Sequence, residues 1–339
     1  MQLNEIWFLI VGFLFIGYFV LDGFDFGVGM SLPFLGKDDT DRRVLINTIG
    51  PVWDLNETWV IVAGASLFAA FPEWYASLFS GFYLPLLLIL AALIARGVAF
   101  EYRGKGHTIG ANEVRWKATF DWMIVIGSAL PALLWGVAFA NIVQGVPLNA
   151  DHIYTGNLFT LLNPYGLLGG LVTLTLFWTH GLMFIALKTE GEIKERASKL
   201  GTKVGIATTL LAATFLIWTL IAHFSVLGFI LSAVAAVTLI AGLAANFFKR
   251  EGIAFSLIVI TIITAVGSLF AALFPNVFPS TTDVAFSLTI DNASSSQYTL
   301  TVMTWVAVFM IPLVLLYQGW TYWVFRNRIS RKSIPAGAH

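Results

Sequence analysis

Apolar stretches long enough to cross a bilayer follow one another along nearly the whole of this 339-residue chain. A helix needs about 20 apolar residues to traverse roughly 30 Å of hydrocarbon. No polar segment between these stretches is long enough to fold as a separate unit. Hydrophobic residues make up 58% of the chain and charged residues 11%, against roughly 25% charged in soluble domains. The reading is therefore an all-α integral membrane protein forming a single membrane domain over residues 1–339. The absence of cysteine excludes disulfides, thiolate metal sites, iron–sulfur clusters and a thiol nucleophile. No nucleic-acid partner is expected. No Lys or Arg precedes the first apolar run and no small-residue cleavage site ends it, so that run is read as a retained span.

Hydropathy gives nine transmembrane helices: Ile6–Leu35, Val52–Ala70, Ala76–Phe100, Ala118–Val143, Leu162–Leu187, Val204–Ala222, Ser225–Phe248, Ile253–Phe274 and Leu300–Phe325. Only His223 and Gly228 interrupt the apolar run 204–248, and charge decides how to divide it. With two spans there, all 19 Lys and Arg fall on one face. The opposite connections, Phe71–Tyr75, Gln144–Leu161, His223 and Pro275–Thr299, carry none. The positive-inside rule then puts the N-terminus outside and the C-terminus in the cytoplasm. The segment Lys188–Lys203 is expected to form a solvated helix, with Glu192/Arg196 and Glu195/Lys199 at i,i+4. Pro85, Pro131 and Pro312 fall inside spans, where neighbouring helices must absorb any kink.

Against this background the stretch LDGFDFGVGM places Asp22 and Asp25 inside the first span. Counting about 1.5 Å per residue from Ile6, they lie roughly 24 and 28 Å deep, in the cytoplasmic half. Three residues apart, they share a helix face, so one partner or wet cleft could serve both. The second span repeats the spacing with Asp54 and Glu57, Arg96 and Glu101 end the third at the same level, and Asp121 begins the fourth. An ionised carboxylate at the bilayer centre costs at least about 2.5–3.5 kcal/mol, relieved by a paired base, a wet cavity or a proton. Burial and mutual repulsion both oppose ionisation, which suits such acids to carrying protons. Asp54, Glu57, Arg96 and Glu101 lie near enough to the interface for structural anchoring to explain them as well. Gly23, Gly27 and Gly29 have a packing explanation, since small residues let helices approach closely.

A membrane haem needs axial side chains aimed inward, His or Met most often. Of five His, His107, His152 and His339 fall in loops or the tail, His223 at an outer turn, and His180 alone within a span. His180 is read as a hydrogen-bonded core residue and the chain as haem-free. Most Trp and Tyr cluster near span ends, as an interfacial belt would.

Several segments resemble subunit II of the bacterial cytochrome bd quinol oxidases: LDGFDFGVGM, Arg42–Asn47, Gly50–Asp54, Ala70–Tyr83, Ala140–Pro147, Leu161–Leu168, and Asn292–Ser296 leading into Leu300–Trp305. The matches run in order over nearly the whole chain. The resemblance implies two four-helix bundles, over residues 6–143 and 162–274, with a peripheral ninth helix at 300–325. It implies a bacterial cytoplasmic membrane, membrane-lipid contacts and a complex that oxidises quinol and reduces oxygen to water. The b- and d-type haems would lie in a haem-bearing subunit I, leaving no cofactor bound by this chain alone, with room in such complexes for a small single-helix subunit. This chain would stabilise the complex and contribute proton uptake from the cytoplasm, Asp22, Asp25 and Asp54 matching acidic positions of the family and Glu57, Arg96 and Glu101 added beside them. Trp59 matches a tryptophan near an oxygen route from the membrane, although it equally suits the belt. Val52 stands where a relative can carry His, which removes any relay needing that imidazole.

The rival reading is a stand-alone proton-coupled secondary transporter using the same acids. Transporters of that kind repeat their halves around broken helices at the midplane. Here the acids concentrate in the first four spans, with no matching set in the second half.

Overall fold

The computed structural model describes residues 2–110 and 112–334; His339 lies outside the described residues. Its helices are α1 (Leu3–Leu35), α2 (Asp39–Ile49), α3 (Trp53–Ala70), α4 (Pro72–Gly81), α5 (Tyr83–Tyr102), α6 (Glu113–Gln144), α7 (Leu158–Leu161), α8 (Pro164–Lys188), α9 (Gly191–Ala222), α10 (Val226–Phe247), α11 (Glu251–Leu273) and α12 (Gln297–Val324). A short antiparallel ribbon pairs β1 (Asn276–Phe278) with β2 (Leu288–Thr289). Among the described residues, eight helices are long and apolar enough to cross a membrane: α1, α5, α6 and α8 to α12. The remaining helix at an expected span, α3, carries Asp54, Asn56 and Glu57 in its opening turns.

Local chemistry sets the helix ends. Side-chain oxygens of Asp38, Asn112, Asn163, Ser225 and Ser296 accept backbone N–H bonds at the starts of α2, α6, α8, α10 and α12, satisfying donors that a helix leaves unpaired. The third expected span is divided: α4 occupies Pro72–Gly81, partly within the expected outer connection, and α5 restarts at Tyr83. Pro85 explains the break, because it has no N–H to offer the Gly81 carbonyl. Pro85 thus lies in a first turn and kinks nothing. The expected surface helix and sixth span are one continuous helix, α9.

Helix α1 lies at the centre, packed on α3, α6 and α8, while α8 also meets α6 and α9, and α10 pairs with α11. Close approach of α1 to α8 depends on Gly27 and Gly181: a Cβ at Gly27 would sit 2.1 Å from the Phe177 carbonyl oxygen and 2.7 Å from Gly181 Cα. Further along, Phe15, Phe19, Trp135 and Phe139 pack edge to face, the arrangement favoured by aromatic quadrupoles. Helix α12 is different, with Leu300, Gln318 and Thr321 its buried residues.

Candidate functional site

Asp22 and Asp25 are both fully buried, one turn apart on α1. They take different partners rather than the shared one their spacing allows. Asp22 Oδ1 accepts a 2.7 Å hydrogen bond from Arg96 Nη2 of α5, and the same nitrogen donates to Glu57 Oε2 of α3 at 2.9 Å. The guanidinium lies over the Phe26 ring, 4.5 Å from its centroid. Three helices therefore meet on one cation that is 0% exposed. A guanidinium suits this position, being weakly hydrated, planar and able to serve two carboxylates and an aromatic face together.

Asp25 Oδ2 accepts from Asn56 Nδ2 at 2.8 Å, and that amide group also donates to the Leu21 carbonyl at 3.3 Å. The Asn56 oxygen in turn accepts from Gln318 Nε2 at 2.9 Å and from the Tyr322 hydroxyl at 2.8 Å, both on α12. With two donors on its oxygen, the amide cannot flip, so its NH2 is held toward Asp25. Asn56, Gln318 and Tyr322 were not among the expected site residues. The signal was present as an amide within a polar turn and another inside the apolar run of α12.

Asp22 Oδ2, Asp25 Oδ1, Arg96 Nε and Nη1 and Gln318 Oε1 are buried and find no hydrogen-bond partner among the described residues. Leaving such groups unmade costs about 1–3 kcal/mol each, more when charged. Asp22 and Glu57 share the one guanidinium, two acids on a single cation. The cluster is thus polar and crowded with acceptors. Glu57, with 22% of its side chain exposed, forms its outer edge. Asp54 and Glu101 are exposed, and among the described residues no hydrogen bond or ion pair joins them to the cluster.

The basic end of the molecule has a second layer of ion pairs. Asp121 binds Arg42 at 2.9 Å and Arg103 at 2.6 Å, and Asp39 binds Arg103 at 2.7 Å and Lys117 at 3.1 Å. Buried Asp41 binds Arg196 and Arg331, each at 2.8 Å. The expected Glu192/Arg196 pair does not form. Arg196 is drawn instead to Asp41 and the Leu35 carbonyl, while Glu192 faces Lys37 at 3.4 Å.

His180 is fully buried, donates from Nε2 to the Val20 carbonyl at 3.0 Å and stacks on Phe255 at 4.8 Å. Trp59 is buried against Gly17, meets Phe13 edge to face at 5.9 Å and lines an apolar cleft of about 110 Å³ with residues of α12.

The family model described as cytochrome bd terminal oxidase subunit II matches residues 3–325. Cytochrome bd ubiquinol oxidase subunit 2 of Bacillus subtilis (strain 168) is 41% identical over 336 residues, covering 98% of each chain. Cytochrome bd-I ubiquinol oxidase subunit 2 of Escherichia coli (strain K12) is 40% identical over 382 residues, covering 99% of this chain and 98% of its own. Among solved structures, a chain of the bd oxidase from Geobacillus thermodenitrificans superposes with a TM-score of 0.77 at 16% identity, over 96% of this chain and 99% of that one.

Proposed function

The chain belongs to the cytochrome bd terminal oxidase subunit II family, and from that premise we propose that it is the haem-free subunit of a quinol-oxidising, oxygen-reducing complex in a bacterial cytoplasmic membrane. Its partner is the haem-bearing subunit I, and its own chemistry is to hold and pass protons drawn from the cytoplasm. Counting α3 with the eight apolar helices gives nine spans, with the N-terminus outside and the basic face cytoplasmic. The expected two bundles, α1 with α3, α5 and α6 and α8 with α9 to α11, would join through α1 and α6 packed on α8, with α12, whose buried residues are Leu300, Gln318 and Thr321, at the periphery. The haem-free reading is supported by His180, whose Nε2 is committed to a carbonyl and whose ring is enclosed by Phe24 and Phe255.

The observation that carries the proposal is the buried Asp22–Arg96–Glu57 and Asp25–Asn56 cluster. Glu57 brings it to the surface of α3, where exposed Asp54 lies one turn nearer the basic end. That order, Asp54, Glu57, Arg96, Asp22, Asp25, is an uptake path whose outer end faces subunit I. Glu101, exposed at the end of α5, belongs to its mouth. The apolar cleft beside Trp59 suits passage of a small apolar molecule and supports oxygen access from the membrane.

The test is Asp25→Asn in the purified complex, with quinol-driven oxygen consumption and haem absorbance measured together. The expected result is a loss of rate with full haem content. An unchanged rate would reduce the acids to anchors, and isolation of a colourless lone chain would favour a transporter.

A further inference from the structure

Where the corner between α10 and α11 meets the first turns of α9 lies a cavity of about 530 Å³. Its floor, toward the apolar part of α9, is buried Asn246, whose amide donates to the Ser198 carbonyl and the Thr202 hydroxyl, each at 2.9 Å, and accepts from the Ser198 hydroxyl at 3.0 Å. One wall is the Lys194–Glu251 pair at 2.7 Å. Glu251 also faces Arg328 at 3.6 Å, on the strap that follows α12 and ends where Arg331 binds Asp38 at 2.6 Å and Asp41 at 2.8 Å. Lys199 and Lys249 line the cavity, are exposed, and form no ion pair among the described residues; the expected Glu195/Lys199 pair is not made. Two uncommitted ammoniums against the one carboxylate of Glu195 leave the cavity net cationic. Lys249 has φ +58°, a left-handed position that suits glycine and costs an L residue, so the backbone gives no reason for a lysine there. Beside it Phe247 and Phe248 are exposed, rings next to cations as at the boundary between acyl chains and headgroups. About two turns further along α9, roughly 10 Å by the helix rise, the seam between α9 and α10 opens into an apolar crevice of about 140 Å³, with Ala213, Ala236 and Ile240 exposed at its mouth. Its threonines, Thr173, Thr209 and Thr261, spend their hydroxyls on backbone carbonyls. Apolar cavities of about this size stay dry and take apolar guests.

We propose that the α9–α10 seam binds one anionic diacyl phospholipid of the surrounding bilayer, its phosphodiester held by Lys199 and Lys249 and one acyl chain seated in the crevice. Lys194 is already committed to Glu251, so the two rim lysines supply the charge. Gly205 packs on Leu243 between the two spaces, where a Cβ would sit 2.2 Å from Leu243 Cδ2. The acyl chain therefore crosses on the lipid side, over exposed Ile206 and Ala244, before turning into the crevice. This site is independent of the proton path.

The test uses the purified complex in phosphatidylcholine nanodiscs with phosphatidylglycerol titrated in, and reads hydrogen exchange at residues 191–195 and 246–251 as the ratio with and without the added lipid. Phosphatidylglycerol is expected to slow exchange at this corner, and phosphatidylethanolamine added in its place to leave it unchanged. Lys199→Gln combined with Lys249→Gly should need at least about tenfold more phosphatidylglycerol for the same protection, since each basic residue near an anionic headgroup contributes roughly fivefold. Glycine also relieves the backbone at 249, so a lysine with a merely structural role would leave the titration in place. Lys203→Gln, exposed but outside the cavity, is the control and should titrate like the parent. Ala236→Trp, which fills the mouth of the crevice and keeps both lysines, should weaken the response severalfold. Protection by phosphatidylethanolamine equal to that by phosphatidylglycerol, an unshifted titration in the lysine double variant, or an equal shift in Lys203→Gln overturns the headgroup site. An unshifted titration in Ala236→Trp overturns the seat of the acyl chain.

Discussion

Replacing Arg96 by Met tests whether the cluster is held by charge. The substitution keeps an apolar stem of similar length but removes the cation that binds Asp22 at 2.7 Å and Glu57 at 2.9 Å with none of its surface exposed. Removing one partner of a buried pair costs about 3–5 kcal/mol because the other charge is left uncompensated. Glu57 can turn toward its exposed edge, so most of the loss comes from Asp22, which has no exposure at all. Arg96→Met is therefore expected to destabilise the complex by about 3–5 kcal/mol, whereas Asp22→Asn combined with Arg96→Met should recover at least about half of that, because neutral replacement of a whole buried pair is often tolerated. The assay is thermal unfolding of the detergent-purified complex, followed by tryptophan fluorescence. A double variant that melts no higher than Arg96→Met would refute the reasoning, since packing rather than uncompensated charge would then be responsible.

Gly27→Ala should destabilise the α1–α8 contact by about 1–3 kcal/mol, because its Cβ would meet backbone atoms at 2.1 and 2.7 Å. Gly64→Ala, with nothing within 4 Å, should melt like the parent; equal melting of the two would refute the packing argument. The strap should respond to acid: the Asp41 amide, and then the Arg331 guanidinium, hold the Asp38 carboxyl below the ordinary aspartate range. Its stabilisation is then present above about pH 4 and is lost as pH falls through the lower folded value. Protection of the amides of residues 328–331, taken as exchange relative to the intrinsic rate at each pH, should accordingly fall as pH drops below about 4, and in Asp38→Asn it should already be low at neutral pH.

The bilayer made much of the architecture legible, because length and apolarity alone identify helices such as α8 and α11. Depth along α1 likewise located Asp22 and Asp25 before any partner was known. What hydropathy did not resolve depended on backbone chemistry and on distant contacts. The break at Phe82 follows from one missing N–H at Pro85. The partner of Arg196 was misread because i,i+4 spacing offers Glu192, whereas tertiary folding brings buried Asp41 of α2, a stronger site because it is desolvated. Asn56 was overlooked for a related reason. An amide carries no charge and gives little signal in a polar turn, yet it joins α1 to α12, elements separated by more than 200 residues.

That junction bears on how α12 is held. A helix with only Leu300, Gln318 and Thr321 buried gains little from packing, so polar contacts fix it. Near its start, Trp7 Nε1 donates to Thr304 Oγ1 at 3.0 Å and to the Leu300 carbonyl at 3.3 Å. Near its end, Gln318 and Tyr322 converge on Asn56, and beyond it the strap engages Asp38 and Asp41. Asn56→Ala would strip partners from Gln318 Nε2, the Tyr322 hydroxyl and Asp25 Oδ2 at once, with each buried loss costing about 1–3 kcal/mol. Asn56→Ala is thus expected to loosen the inner half of α12 and to slow turnover together, whereas Thr304→Val should loosen the outer half and leave turnover intact. Hydrogen exchange along α12, paired with oxygen consumption, separates the two. If Thr304→Val slowed the enzyme as much as Asn56→Ala, attachment of α12 in general, and not the orientation of Asp25, would govern the rate.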